Sequence, residues 1–239
     1  MKQKLFKIFI DFDGTVTQQD VGEEVFRKFA EEEKANNIID DLLNDRISSR
    51  ECWISLCGAV PSVNKNEFDD FIVSIALDST FEKFKDYCAN ENIDLFVLSD
   101  GFDYYISKIF EKNEINGLTV YSNHLEIVDG KLIPSFPYYD ESSFSSANCK
   151  RNHIINHSSE EDFTIFIGDG NSDKDSIEYC DFIFAKDDLL KFCEKGRITY
   201  FPFKNFDDVI KKLDELKERK RLKKRLQAQL KRQQAYTTE

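Results

Sequence analysis

The chain has 239 residues, of which 41% are hydrophobic and 33% are charged. This length allows one large domain or two smaller ones with a sizeable core, and charge spread along the whole chain excludes a wholly disordered protein. No apolar run approaches the ~18–20 residues needed to cross a bilayer, and the first apolar stretch is too short for a signal peptide. We therefore expect a cytoplasmic protein with no transmembrane segment, whose six cysteines are reduced.

The charge is distributed unevenly along the sequence. Nine Lys and Arg against two Glu give residues 217–239 a net charge of +7, which leaves −19 on the rest of a chain whose total is −12. A strongly acidic body argues against nucleic-acid binding by that part of the chain. Within the basic tail, Leu222, Leu226 and Leu230 recur every fourth residue, which fits a solvated or frayed helix, a dimer contact, or a segment touching anionic lipid or RNA.

Strand and helix patterns alternate along most of the chain. Short apolar runs predict strands at residues 5–10, 93–98, 163–167, 182–185 and 198–201. Helical spacing predicts helices at residues 80–91, 102–112, 150–156 and 172–180, with a further helix from residue 205. Strands separated by helices indicate an α/β fold with a mainly parallel sheet flanked by helices.

Two segments interrupt this alternation. Residues 21–33, 36–44, 48–57 and 64–73 all suit helices, which predicts a helical insertion after the first strand. Residues 119–134 alternate as a hairpin around Asp129-Gly130. We therefore predict a core of residues 1–17 and 80–204, an all-helical cap of residues 18–79, and a C-terminal helix with its basic tail at 205–239.

Three predicted strands end in loops that contain aspartate and glycine. The loops are Asp11-Phe-Asp13-Gly14-Thr15, Ser99-Asp100-Gly101 and Gly168-Asp169-Gly170-Asn171-Ser172-Asp173. One such loop alone would be an ordinary turn, but ligands of a parallel sheet bind beyond the carboxyl ends of its strands. Converging carboxylates repel one another unless a cation neutralises them, and oxygen ligands suit Mg²⁺. The sequence thus predicts a magnesium site at this edge of the sheet.

The same loops, together with Lys150 at the start of a predicted helix, offer groups that bind phosphate. Ser99 supplies a hydroxyl, Lys150 a compact positive charge, and the glycines at 14, 101 and 170 allow the backbone to approach an anion closely. Mg²⁺ held by a few carboxylates usually shares its coordination with a substrate phosphate. A phosphorylated substrate is therefore expected beside the metal.

Taken in order, these motifs resemble the haloacid-dehalogenase-like phosphatase superfamily. The set is D-x-D-G-T-x-T at residues 11–17, a strand that ends at Ser99, then Lys150, then G-D-G-x-S-D at residues 168–173. The resemblance covers residues 5 to about 201 and implies a Rossmann-like core with an inserted helical cap. It also implies hydrolysis of a small phosphomonoester through an aspartyl-phosphate.

The resemblance assigns a role to each matching position. Asp11 would be the nucleophile and Asp13 the general acid and base. Thr15 would brace the loop. Mg²⁺ would lie on Asp11, the Asp13 carbonyl and Asp169, with Asp173 as a ligand or a support for one. The groups expected to hold the phosphoryl oxygens are Ser99, Lys150 and the backbone N–H groups of Gly14 and Gly101.

The helical insertion resembles the phosphoserine-phosphatase-like branch, and three segments resemble the phosphatases of methionine salvage. The segments are D-F-D-G-T-V-T-Q-Q-D, I-S-S-R-E and F-A-K-D-D-L-L-K-F-C. Asp20 and Arg50 fall at positions that would face the substrate in these groups. Asp100 stands where they generally have glycine, which would put an extra carboxylate beside the phosphate.

Several alternatives stay open from the sequence. The substrate could be a methionine-salvage intermediate, phosphoserine, phosphocholine or another small metabolite, and transfer to an organic acceptor could replace hydrolysis. A non-catalytic module that binds metal and phosphate, with a basic interaction tail, is the rival from another class. Asp20 also suits a helix N-cap, Arg50 a solvated charge and Trp53 core packing. The oligomeric state is not indicated.

Overall fold

A computed structural model describes residues 5–143 and 145–238. Residues 1–4 of the predicted core and residue 239 of the predicted tail lie outside the described residues. Among the described helices, none combines the length and the apolar character that a membrane span requires. The six cysteines are all free and buried.

Seven described strands form one hydrogen-bonded sheet. They are β1 (Phe6–Ile10), β2 (Asp94–Phe102), β3 (Thr119–Val128), β4 (Lys131–Ser135), β5 (Phe163–Gly168), β6 (Phe182–Ala185) and β7 (Phe201–Pro202), in the order β4-β3-β2-β1-β5-β6-β7. Strands β2, β1, β5, β6 and β7 pair in parallel, and β3 and β4 pair as the predicted antiparallel hairpin. Asp129 and Gly130 form its turn with φ values of 49° and 77°. The α/β class with a mainly parallel sheet is confirmed.

Ten α-helices are seen among the described residues. They are α1 (Val21–Phe29), α2 (Glu32–Leu43), α3 (Ser49–Ala59), α4 (Lys65–Ser74), α5 (Phe81–Asn90), α6 (Asp103–Lys112), α7 (Lys150–Asn156), α8 (Asp187–Gly196), α9 (Phe206–Glu218) and α10 (Leu226–Thr238). Polar side chains cap the starts of several: Asn64 caps α4, Asn205 caps α9, and Ser48 with Glu51 forms a capping box on α3.

The helix predicted at residues 172–180 is wrong. Two 3-10 turns, Asn171–Asp173 and Ser176–Tyr179, take its place. The Asp173 carboxylate accepts hydrogen bonds from the backbone N–H groups of Asp169 and Gly170, both at 3.2 Å. These bonds fold the first turn back on the end of β5, because a short acidic side chain competes with helix geometry for nearby backbone donors.

The chain divides into two compact units. The first comprises Met1–Val16, Asp78–Leu98 and Lys150–Glu239, and the second comprises Thr17–Leu77 and Ser99–Cys149. The three-part division drawn from the sequence stays a prediction. In the first unit the buried sheet residues belong mainly to β1 and β5, and α9 packs on α5 through ring contacts of Phe206 with Phe81 and Phe84.

The basic tail is ordered against the first unit rather than frayed. After α9, residues 219–225 are not helical, and α10 then packs against the second 3-10 turn and α7. Arg232 is 1% exposed, whereas Leu226 and Leu230 are 68% and 50% exposed. The structure therefore contradicts a frayed segment, because the buried partner of Arg232 decides which face of α10 turns inward. A dimer contact and a contact with anionic lipid or RNA stay predictions.

Candidate active site

The first strand delivers two acidic residues to its carboxyl end. The run Phe-Lys-Ile-Phe-Ile forms β1, and Asp11 follows it directly with 4% exposure. The backbone N–H of Asp11 donates to the carbonyl of Ile167 at 2.9 Å, which fixes Asp11 beside the end of β5. Asp13 lies two residues later in the turn and is half-buried.

A buried lysine joins two of the acidic loops. Lys150 begins α7 and is 1% exposed. Its ammonium donates to the Asp11 carboxylate, to Asp173 Oδ1 at 2.7 Å and to Ser172 Oγ at 3.0 Å. Residues that are far apart in the sequence therefore meet around one positive charge. Ser172, which the sequence analysis did not single out, lies inside the G-D-G-x-S-D motif that could have indicated it.

The third acidic loop completes the cluster. Oxygen atoms of Asp11, Asp169 and Asp173 lie within 4.8 Å of one another. Thr15 Oγ1 donates to Asp169 Oδ1 at 2.5 Å, which confirms that Thr15 braces the loop. Two glycines give the carboxylates room, since a Cβ at Gly14 would overlap Asp169 and one at Gly168 would overlap Asp173.

The cluster carries more negative charge than its lysine balances. Burial, together with the Asp173 carboxylate, raises the pKa of Asp169 to about 7. Burial and the neighbouring Asp173 likewise raise the pKa of Asp11 well above its ordinary value, although Lys150 opposes the shift. The pKa of Lys150 lies above its usual range, because contacts with Asp11 and Asp173 outweigh the effect of burial. Lys150 is therefore protonated.

This donor set fits a divalent cation. Three carboxylates in contact range, with one ammonium among them, leave a local surplus of negative charge that is buried and costly. All of their ligand atoms are hard oxygens, which Mg²⁺ prefers over softer metals. Asp11 and Asp169 are the residues best able to bind it, because both oxygens of Asp173 already accept hydrogen bonds from the protein.

The other predicted site residues belong to the second unit. Ser99 is fully buried, and its Oγ accepts the Gly101 N–H at 2.9 Å. Asn148, which the sequence analysis also missed, is fully buried and donates from Nδ2 to the Ser99 carbonyl at 2.8 Å. The conformation at the end of β2 is thus held by bonds within that unit. Contacts of Ser99 and Gly101 with phosphate stay predictions.

The Asp100 carboxylate is engaged by five protein donors. Its Oδ1 accepts from Ser146 Oγ at 2.8 Å and from the backbone N–H groups of Ala147 and Asn148 at 2.6 and 2.8 Å. Its Oδ2 accepts from Ser49 Oγ at 2.6 Å and from Trp53 Nε1 at 3.2 Å. Asp100 therefore joins the end of β2 to α3 and to residues 146–148, a structural role in the second unit. Its contact with substrate stays a prediction.

Asp20 and Arg50 have local partners as well. Asp20 Oδ1 accepts from the Glu23 N–H at 2.8 Å, which confirms the N-cap alternative for α1. The Arg50 guanidinium is exposed and lies 4.7 Å from the ring centre of Tyr139 and 5.7 Å from that of Phe136. Cation–π contacts of this kind hold an arginine head group in place. The substrate-facing roles of both residues stay predictions.

Comparison with known proteins places this geometry in a family. A model described as haloacid dehalogenase-like hydrolase matches residues 8–178. A 2-hydroxy-3-keto-5-methylthiopentenyl-1-phosphate phosphatase of Bacillus mycoides is 30% identical over 216 residues, covering 89% of this chain and 97% of that protein. Pdp3-interacting factor 1 of Schizosaccharomyces pombe is 28% identical over 226 residues, covering 90% and 97%.

Solved structures agree on the fold. The structure titled phospho-aspartyl intermediate analogue of phosphoserine phosphatase matches with a TM-score of 0.68 at 19% identity, covering 87% of this chain and 99% of that one. The substrate-bound phosphoserine phosphatase complex matches with a TM-score of 0.65 at 20% identity, covering 88% and 99%. At these identities the likeness shows a shared fold.

Gly14→Ala should disrupt the carboxylate cluster. Gly14 has φ +74°, and an added Cβ would overlap the Asp169 carboxylate. We expect Mg²⁺ affinity, measured by calorimetric titration, to fall by about 10–100-fold, as is typical when a metal ligand loses its support. Gly170→Ala is the matched control, because a Cβ there meets nothing within 4 Å. Equal Mg²⁺ affinity in the two variants would contradict this account of Gly14.

Asp100→Asn should destabilise the protein. Both carboxylate oxygens of Asp100 accept hydrogen bonds, from donors such as Ser49 Oγ and the Ala147 N–H. An amide has only one oxygen, so its NH₂ group would face the donors to the other position and could not accept from them. Denaturant unfolding should show a loss of about 1–3 kcal/mol in unfolding free energy, the cost of unsatisfied buried donors. Asp70→Asn on the exposed surface of α4 serves as control. A wild-type unfolding free energy for Asp100→Asn would refute the structural role.

Proposed function

Because this chain belongs to the haloacid dehalogenase-like hydrolases and is a phosphomonoester hydrolase, we propose that Asp11 is its nucleophile and that the reaction depends on Mg²⁺. The observation that carries the proposal is the buried contact of Lys150 with Asp11 and Asp173, beside Asp169. A carboxylate needs neighbouring positive charge before it can approach a phosphate, and Lys150 places such a charge beside Asp11.

The proposed reaction has two transfers. In the first, a carboxylate oxygen of Asp11 forms a bond to phosphorus, the bond from phosphorus to the substrate oxygen breaks, and Asp13 gives its proton to the departing alkoxide. In the second, water attacks the same phosphorus, Asp13 accepts a proton from it, and the Asp11–phosphorus bond breaks. The products are an alcohol and inorganic phosphate, and both aspartates return to their starting states.

Lys150 would act throughout both transfers as a fixed positive charge. Its ammonium is protonated and buried, and its bonds to Asp173 and Ser172 hold it in place. Such preorganised charge costs little reorganisation when negative charge develops on the phosphoryl oxygens. Mg²⁺, bound by Asp11, Asp169 and the Asp13 carbonyl, would supply further neutralisation of the phosphoryl charge. Asp173 would support Asp169 through its backbone N–H.

We propose a small phosphorylated metabolite as the substrate, with a methionine-salvage intermediate as the first candidate. The candidate is supported by the Bacillus mycoides relative, which is named as a phosphatase of such a compound. Ser99 and the Gly14 and Gly101 N–H groups would hold the phosphate, and Asp20 and Arg50 would contact the rest of the substrate. Phosphoserine and phosphocholine are the alternatives, and relative kcat/KM values on a panel of phosphomonoesters would rank them.

Asp11→Asn should abolish turnover while keeping the fold. An amide cannot form the acyl phosphate, so the rate of p-nitrophenyl phosphate hydrolysis with Mg²⁺ should fall by at least about a thousandfold. Asp188→Asn, on an exposed surface, is the matched control and should retain wild-type activity. Circular dichroism shows whether Asp11→Asn is folded. A folded Asp11→Asn variant that still turns over substrate would refute the proposed nucleophile.

Mg²⁺ should stabilise the protein more strongly as pH rises. In the metal-free folded chain the pKa of Asp169 is about 7, against 3.8 ordinarily, so the folded state holds this proton more tightly than the unfolded chain. The contribution of Asp169 to the stability of the metal-free protein therefore falls as pH rises from about 4 to about 7. Mg²⁺ binds the deprotonated carboxylates and should add about 2.7 kcal/mol at a hundredfold excess over its Kd.

Thermal unfolding with Mg²⁺ and with a chelator, at pH 6 and pH 8, measures this effect. The gain in Tm on adding Mg²⁺ should be larger at pH 8, and Asp169→Asn should remove most of the difference between the two pH values. A gain in Tm that is the same at both pH values, or larger at pH 6, would show that the cluster does not bind the cation as described.

A further inference from the structure

The C-terminal helix buries an arginine in the first unit. Arg232 on α10 is 1% exposed. One of its guanidinium nitrogens donates to Thr164 Oγ1 at 2.7 Å and to the Tyr179 carbonyl, and the other donates to the two Asp181 oxygens at 3.0 and 3.3 Å. The side chain thus contacts the start of β5, the end of the second 3-10 turn and the residue before β6.

Asp181 gathers these elements around one carboxylate. Its Oδ2 accepts from Thr164 N and Thr164 Oγ1, both at 3.1 Å, as well as from Arg232. Its Oδ1 accepts from the Arg225 backbone N–H at 3.2 Å. A buried ion pair adds little net stability over a well-packed apolar pair, because removing both charges from water offsets their attraction. Stability alone therefore does not account for this arrangement.

The tail arginines also donate hydrogen bonds to the turn that follows the loop of Asp169 and Asp173. The second 3-10 turn, Ser176–Tyr179, is too short to pair all its own carbonyls. The Arg225 guanidinium donates to the Ile177 carbonyl, and the Arg232 guanidinium donates to that of Tyr179. These donors come from residues about 50 positions later in the chain. The irregular conformation of residues 171–179 is thus stabilised in part by side chains of the C-terminal tail.

The elements that the tail contacts lead directly to the candidate active site. Only two residues separate Asp173, a partner of Lys150, from the 3-10 turn that the arginines hold. On the other side, Tyr236 Oη donates to the Ser158 carbonyl at 2.7 Å, just after α7, the helix that begins with Lys150. Helix α10 therefore packs against the second 3-10 turn and against α7. Asp173 lies just before that turn and Lys150 begins α7, so α10 contacts both segments that carry the Lys150–Asp173 pair.

We propose that Arg232, paired with Asp181, is a positioning residue for the phosphatase site. It fixes the second 3-10 turn and thereby the distance between Asp173 and Lys150, on which the placement of the cation and of the Asp11 carboxylate depends. This inference rests on the proposed function. It also extends beyond the residues that the family model matches, which end at 178.

A purely structural anchor and a positioning residue make different predictions. An anchor that only adds stability lowers Tm but leaves the folded protein with its full kcat and Mg²⁺ affinity. A positioning residue changes both in protein that is fully folded, because displacements of about 1 Å in a catalytic group can cost about a hundredfold in rate. Measurements made well below the Tm of each variant therefore separate the two.

The test compares Arg232→Met and Asp181→Asn with Lys223→Met as control. Lys223 is an exposed residue of the same basic tail, so its variant loses a positive charge without losing a buried contact. Calorimetric titration gives the Mg²⁺ affinity, and steady-state hydrolysis of p-nitrophenyl phosphate gives kcat and KM. Circular dichroism at the assay temperature confirms that each variant is folded.

We expect Arg232→Met and Asp181→Asn to weaken Mg²⁺ binding by about tenfold and to lower kcat by about tenfold or more, with KM within about twofold of wild type. Lys223→Met should match the wild type in all three. A folded Arg232→Met variant with wild-type Mg²⁺ affinity and kcat would overturn the proposal.

Two further variants keep the test decisive if Arg232→Met does not fold. Arg232→Lys keeps a charge for Asp181 but cannot reach all of its partners at once. Tyr236→Phe removes the hydrogen bonds of Tyr236 Oη with the carbonyl and the hydroxyl of Ser158, which follows α7. Both should reduce Mg²⁺ affinity less than Arg232→Met is expected to, and wild-type values for both would overturn the proposal. Absence of turnover in the wild type would instead refute the proposed function, while the Mg²⁺ titrations still report on the positioning.

Discussion

The structure of the first unit depends on one buried ammonium group placed among acidic side chains. Lys150 bonds to Asp11 and Asp173, and all three are nearly inaccessible to water. Burying these charges is costly unless they compensate one another, so the elements that carry them must meet closely. Because Asp169 adds a third carboxylate to the cluster, compensation by Lys150 alone is incomplete. The remaining negative charge favours the binding of a cation at this site.

The sheet explains how such distant residues meet. Strands β1 and β5 are neighbours and parallel, so the residues that follow them emerge at one edge. Gly14 and Gly168 keep that edge open, since a side chain at either would occupy the space of an aspartate. The parallel strands thus position the loops, and the aspartates of those loops form the acidic cluster. The second unit has a comparable organising carboxylate in Asp100, which gathers α3, β2 and residues 146–148.

Most of the sheet and the acidic cluster could be predicted from the sequence, because each depends on local signals. An apolar run followed by Asp and Gly marks both a strand and its functional end, as at Asp11 and Asp169. The two 3-10 turns and the inward face of α10 could not be predicted in this way. The first turn follows from hydrogen bonds that the Asp173 carboxylate accepts from the backbone. The second turn and the inward face of α10 are contacted by Arg232, whose partner Asp181 is distant in sequence. This pairing reverses the usual rule that leucine is buried and arginine exposed. The five donors to Asp100 could not be predicted either, because they too lie far from it in the sequence.

The central claim is that Asp11, Asp169 and Asp173 with Lys150 form one cation site. A crystal soaked in Mn²⁺, with anomalous diffraction recorded at the manganese edge, tests it most directly. We expect a single strong anomalous peak within bonding distance of carboxylate oxygens of Asp11 and Asp169, with the Lys150 ammonium still bound to Asp173. A peak away from these residues, or none at a Mn²⁺ concentration that supports hydrolysis, would contradict it.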